Sequence, residues 1–181
     1  SSIENMGIIG IGIGMMLAGK LYQSPVVAIL GFSGALMHSL NHSLFKPLLF
    51  FASGIIYQKT HTRNMDSLGG VLKLMPYSSY MFILGGAAIS GLPVLNGFIS
   101  EFMMYFGSIE GVRSSVMPLT VISICTMTVL AFVGVMAVVC FTKASGIMLL
   151  GTARSSYSSD VKDDMKLSLI ALFVISALVL L

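Results

Sequence analysis

Two histidines and a lysine stand four residues apart in His38-Ser-Leu-Asn-His42-Ser-Leu-Phe-Lys46. In a helix each step of four returns to within ~40° of the last, so His38, His42 and Lys46 share one stripe. Imidazole titrates near neutral pH, and such a stripe can hand a proton along its length. Asn41 and the hydroxyls of Ser39 and Ser43 lie beside it and are suited to hold water. The bland alternative has both histidines satisfying backbone carbonyls while Lys46 snorkels to a head group, but long apolar runs on both sides oppose that for the lysine. Zinc is a poorer fit still, because Ser39 stands where a metalloprotease helix would carry its glutamate.

Glu101 is the second chemical position, in Phe98-Ile-Ser-Glu-Phe-Met-Met, just beyond Gly91-Leu-Pro93. A carboxylate beside a Gly/Pro interruption can exchange protons with waters held by the freed backbone groups. An acid at a helix start, favoured by the helix dipole, is the other reading, and both stay open. Lys143, in Phe141-Thr-Lys-Ala-Ser, either sits in the membrane or marks a helix end. Glu4 is either a helix N-terminal acid or a buried carboxylate. Lys20, Lys59, Lys73, Arg113 and Arg154 read as interfacial anchors, and His61-Thr-Arg63 as a solvated turn.

The elements that must position these groups follow from composition. The 181 residues are 56% hydrophobic and 9% charged, with a mean hydropathy of +0.95, whereas a soluble domain carries roughly a quarter charged residues. Lipid is therefore the solvent. A charge at the bilayer centre costs ~2.5–3.5 kcal/mol on insertion scales, so each one in an apolar run asks for a reason. A net charge of +3 from ten basic and seven acidic residues is too sparse for a nucleic-acid footprint. Cys125 and Cys140 lie in one apolar run without metal-ligand spacing and read as small core residues. Fourteen Met and nineteen Gly suit close helix packing in a bilayer.

A crossing takes ~20 apolar residues as helix, which predicts an all-α polytopic bundle with five to six spans. The first covers about Asn5 to Leu21. The second runs from Pro25 to about Tyr57, too long for one straight span, with a tilt or kink expected near Pro47. Gln58 to Lys73 is an aqueous loop. A third span starts near Pro76 and breaks at Ser90-Gly91-Leu-Pro93, and a short segment from Gly97 to Phe106 follows, so Gly91, Pro93 and Gly97 mark a discontinuous helix. A long run from Val116 to Leu150, a Ser-rich loop from Thr152 to Lys166 and a last helix complete the chain. Ser1 at one end and the open apolar run Val179-Leu-Leu181 at the other are expected of a stretch of a longer protein.

Four stretches in one order, Ser1-Ser-Ile-Glu-Asn-Met-Gly7, His38 to Lys46 with Pro-Leu-Leu-Phe50, His61-Thr-Arg-Asn-Met-Asp-Ser-Leu-Gly-Gly70 and Ile89-Ser-Gly-Leu-Pro-Val-Leu-Asn-Gly-Phe-Ile-Ser-Glu-Phe102, resemble the antiporter-like membrane subunits of complex I and its relatives. The likeness is greatest to the hydrogenase 4 and formate hydrogenlyase branch. It implies that residues 1–151 are the second five-helix inverted repeat, partial here, and that 152–181 lead into a following helix. It implies proton translocation, with His42 and Lys46 on a central axis, Glu101 at the charged position of the discontinuous helix and Lys143 as a pseudo-symmetric lysine. The resemblance further implies a multi-pass subunit of the inner (cytoplasmic) membrane with no cofactor or metal of its own. Its partners would be other membrane subunits and a peripheral iron-sulfur/NiFe-hydrogenase-like arm, and the moving ion H+ or, alternatively, Na+. A subunit of a multi-subunit Na+/H+ antiporter and a structural scaffold are the rival readings.

Overall fold

The computed structural model describes residues 2–154, 161–163 and 167–180. Every regular element among them is helical: α1 Ser2–Leu21, α2 Pro25–Thr60, a 3-10 turn Met65–Ser67, α3 Val71–Leu74, α4 Pro76–Ile89, α5 Asn96–Val112, α6 Met117–Leu149 and α7 Leu167–Leu180. Pro25 and Pro76 open their helices, where a missing N–H costs no intrahelical bond and φ is already set. Pro47 lies inside α2, and the helix continues through it for 36 residues in all. Buried Phe45, Leu48, Leu49 and Ala52 flank the proline, so packing holds the helix across the one lost bond. The expected Ser-rich loop lies partly outside the described residues, at 155–160 and 164–166.

By length and composition, α1 and α6 are each able to cross a membrane alone. The 14 residues of α4 and the 17 of α5 each fall short of the ~20 a crossing takes. Only 11% of the most apolar stretch of α6 is buried within the chain. Consequently Cys125 and Cys140 are exposed on α6, and the expectation that they are core residues is wrong. A helix apolar all round gives no sequence signal for which face is inside.

The chain forms two compact units, and neither is a continuous stretch. The first joins Ser1–Ser43 to Ser90–Ala137, and the second joins Leu44–Ile89 to Val138–Leu181. In the first, α1 and the start of α2 approach through small residues. A Cβ on Gly12 would lie 2.8 Å from Ala35 Cβ and from the Gly31 carbonyl oxygen, and one on Gly31 would lie 2.7 Å from Met15 Cβ. Helix α5 joins them where Gly107 faces Leu30 and Met15. Ile8, Met15, Val27, Met104, Leu119 and Leu130 fill the centre.

In the second unit α4 packs on α7, with Tyr77 and Phe173 edge to face at 6.1 Å. The segment after α2 is tied down by polar bonds. Gly70 N–H donates to Leu150 O at 2.9 Å, and Arg154 Nη1 donates to Leu68 O at 3.2 Å and, at longer range, to Asp66 O at 3.5 Å. Asp163 accepts from Tyr77 N at 2.8 Å and from Ser78 Oγ at 2.6 Å, capping the start of α4 from a distant part of the chain. Arg154 is thus a loop clasp as well as an exposed base.

Candidate functional site

Three buried polar side chains of the first unit, Asn5, Asn41 and Ser100, gather around His38. It projects from α2 into the space between α1 and α5, and its two ring nitrogens face different helices. Nε2 lies 3.0 Å from Asn5 Oδ1 on α1, and Nδ1 lies 3.0 Å from Ser100 Oγ on α5. One turn along α2, Asn41 Nδ2 donates to the carbonyl oxygen of Asn96 at 2.6 Å and to Ser100 Oγ at 3.3 Å. Ser100 in turn donates to Gly97 O at 2.8 Å. Asn5, His38, Asn41 and Ser100 are each at most 2% exposed. Burial at that level makes every one of these bonds consequential, because an unmade one costs ~1–3 kcal/mol. Small residues let the node close: a Cβ on Gly34 would lie 3.2 Å from the Ser100 carbonyl oxygen and 2.7 Å from Met104.

The backbone interruption sits against this node. Residues 90–95 leave the helix, Gly91 takes φ +63° and Val94 φ +80°. Gly91 is placed so that an added Cβ would lie 2.6 Å from Oε2 of Glu101, which means the carboxylate packs directly on a bare backbone. Left-handed φ and close approach both demand glycine there. Gly91 and Pro93 lie in the interruption. Gly97, expected with them, is instead in the first turn of α5, because that helix already starts at Asn96 with Leu95 as the extended residue before it. Asn96 is buried, and neither Oδ1 nor Nδ2 of its side chain finds a partner among the described residues.

Glu101 is half-buried in the second turn of α5, next in sequence to Ser100, rather than an exposed acid at the helix start. Glu4 is half-buried in the first turn of α1. His42 lies one turn beyond His38 on α2, half-buried and within Coulombic reach of it. Lys46 belongs to the second unit, where its Nζ stands 5.4 Å from the ring centre of Phe50. Lys143, in the same unit, is exposed on α6 six residues before its end. The serines expected to hold water do not point to that use: Ser39 Oγ donates to Ala35 O and Ser43 Oγ to Leu40 O, within their own helix.

Asn5, Asn96 and Ser100 were not singled out by type and spacing in sequence, although each is a small polar residue in an apolar run. Asn96 and Ser100 also stand four apart on α5, a stripe like that of α2. What joins them to His38 is the crossing of three helices distant in sequence.

An apolar helical bundle with a buried polar node at a helix interruption has the character of a membrane protein. Residues 1–131 match the family described as NADH:quinone oxidoreductase/Mrp antiporter, transmembrane, and the chain belongs to that family. Hydrogenase-4 component B of Escherichia coli K12 is 35% identical over 98% of this chain and 26% of its own length. Formate hydrogenlyase subunit 3 of the same organism is 36% identical over 85% of this chain and 25% of its own. The chain therefore spans about a quarter of the curated relatives it matches. Two solved structures share the fold. A chain of the Mrp complex from Dietzia sp. DQ12-45-1b superposes with TM-score 0.66 at 14% identity, over 97% of this chain and 43% of that one. A chain of the membrane-bound sulfane sulfur reductase, an archaeal respiratory membrane complex, gives 0.67 at 21% identity, over 98% and 30%.

Proposed function

We propose that the chain is part of a proton-translocating membrane subunit of a hydrogenase-type or complex I-like assembly, in which electron transfer in partner subunits drives H+ along a buried polar axis. The observation that carries this reading is the node of Asn5, His38, Asn41 and Ser100, buried in apolar surroundings and adjoining a helix interruption and the Glu101 carboxylate. Polar groups are retained at such depth when an ion path needs them. His38, His42 and Lys46 along α2 carry the proton, Glu101 exchanges it at the interruption, and Lys143 is a further lysine of the path.

Coupling needs only that each group's hold on its proton depends on its neighbour's charge. Within the first unit His42 stands one turn from His38 on α2, close enough for the charge of one to bear on the other in this reading. The chain itself carries no redox centre in this reading. It works with other membrane subunits and a peripheral iron-sulfur/NiFe-hydrogenase-like arm, as a multi-pass protein of the cytoplasmic membrane. Residues 1–151 form the second inverted repeat, and 152–181 lead into the next helix. A subunit of a multi-subunit Na+/H+ antiporter is the second reading, supported by the fold shared with the Mrp complex chain.

The test is proton uptake into inverted vesicles during formate- or hydrogen-driven turnover, comparing the full-length parent with its Lys46→Met and Glu101→Gln forms at matched assembly. Uptake falls about tenfold or more in both if these groups move the proton. Unchanged uptake in both reduces them to a scaffold's charges, and uptake that requires Na+ moves the protein to the antiporter class.

A further inference from the structure

His38 has the hydrogen-bonding surroundings of a group that changes charge without stranding a partner. Its Nε2 faces an amide oxygen, Asn5 Oδ1, which accepts only. The Nε2 side therefore keeps its hydrogen. Its Nδ1 faces Ser100 Oγ, and a hydroxyl both gives and takes. Ser100 has two acceptors within reach, Nδ1 at 3.0 Å and Gly97 O at 2.8 Å, and one hydrogen to place. Asn41 Nδ2 donates to the same oxygen, and its orientation is fixed because its other contact, Asn96 O at 2.6 Å, is a carbonyl.

We infer that Asn5 and Ser100 are positioning residues for His38: Asn5 fixes the neutral ring as the Nε2–H tautomer, and the Ser100 hydroxyl is a two-position rotor that lets Nδ1 gain and lose a proton. With the ring neutral, Ser100 O–H donates to Nδ1. When a proton arrives on Nδ1, the ring becomes imidazolium and Nδ1–H donates to Ser100 Oγ. The serine hydrogen then turns to Gly97 O, Nε2–H stays on Asn5, and the site has gained one proton and one positive charge. Neither the ring N–H groups of His38 nor the Ser100 hydroxyl lacks an acceptor in either state, and release of the proton from Nδ1 reverses each turn. The rotor also puts the signal on α5, one residue from Glu101. The other titratable groups on α1, α2 and α5 within the first unit are Glu4 and Lys20 on α1, His42 on α2 and Glu101, Tyr105 and Glu110 on α5, while the exposed Cys125 thiol lies on α6.

This inference deepens the proton-path reading and rests on it for its role in transport, but its structural content is tested separately. The measurement is solid-state NMR of the full-length parent in its reconstituted complex, with ¹⁵N-labelled histidine and the His38 signals assigned by their loss in His38→Gln. The wild type should show, when neutral, a protonated Nε2 and a bare Nδ1. Asn5→Leu should mix the two tautomers. Ser100→Ala should deplete the imidazolium signal about tenfold at a given pH, the effect of one buried donor left without an acceptor, and Ser100→Thr should restore it. Proton uptake should follow the same order, falling in Ser100→Ala and recovering in Ser100→Thr.

A neutral ring still purely Nε2–H in Asn5→Leu, or an imidazolium signal in Ser100→Ala equal to wild type, overturns the inference even where Lys46→Met abolishes uptake. If Lys46→Met pumps normally while the NMR pattern is as expected, the transport reading fails and the assignment of the two positioning residues stands.

Discussion

The node around His38 and the clasp around Arg154 both join distant parts of the chain by polar bonds, but under opposite solvent conditions. In the node the donors and acceptors are polar side chains at most 2% exposed, each bonded to a side chain or carbonyl of another helix. In the clasp an exposed guanidinium reaches backbone carbonyls of a loop, and Asp163 reaches the open N–H of a helix start. Arg154 is exposed, so water can take its place when its bonds break. Nothing replaces a bond of the node, so its residues are constrained by desolvation as well as by geometry. The difference separates a desolvated node, which we propose moves a proton, from a place that secures a loop.

The largest effect should come from removing the close approach that builds the node at all. Gly31→Leu drives a side chain into Met15 Cβ and the backbone of α1, with no flexible end to yield. It should cost about 3 kcal/mol, seen as a lower unfolding midpoint in detergent and as loss of assembled complex. Asn41→Leu should come next, at about 2 kcal/mol, because it leaves the Asn96 carbonyl without this donor and takes one from Ser100 in a dry interior. A stability equal to wild type for Asn41→Leu would mean that water reaches the node, and the contrast with the clasp would collapse.

Much of this arrangement was legible in residue types. Helix starts at Pro25 and Pro76, the interruption at Gly91 and Pro93, and the stripe on α2 follow from local rules of backbone geometry and helical period. Helix α5 begins at Asn96, one residue before the expected Gly97, and runs past the expected Phe106 to Val112. The burial of α6 was not legible: an all-apolar helix reads the same whether its face meets lipid or its own chain, and the two cysteines were placed inside for that reason. Nor were Asn5 and Ser100 legible as partners of His38. They are 33 and 62 residues from it in sequence, and only the crossing angles of three helices decide that they meet.

The smallest effect should be on the clasp, and it sharpens the comparison most. Arg154→Ala removes the donor to Leu68 O and the longer contact to Asp66 O, yet leaves Gly70 N–H on Leu150 O and the close approach of Gly69 to Thr152. Because Arg154 is itself exposed, its removal opens both carbonyls to solvent, which takes the guanidinium's place. Global stability should therefore change by about 0.5 kcal/mol. Amide hydrogen exchange should quicken locally across residues 66–70, because loop opening no longer has to break the Arg154 bonds. Proton uptake should stay at the wild-type level. A drop in uptake at matched assembly would mean that the loop takes part in transport, and the division between path and fastening would then have to be drawn elsewhere.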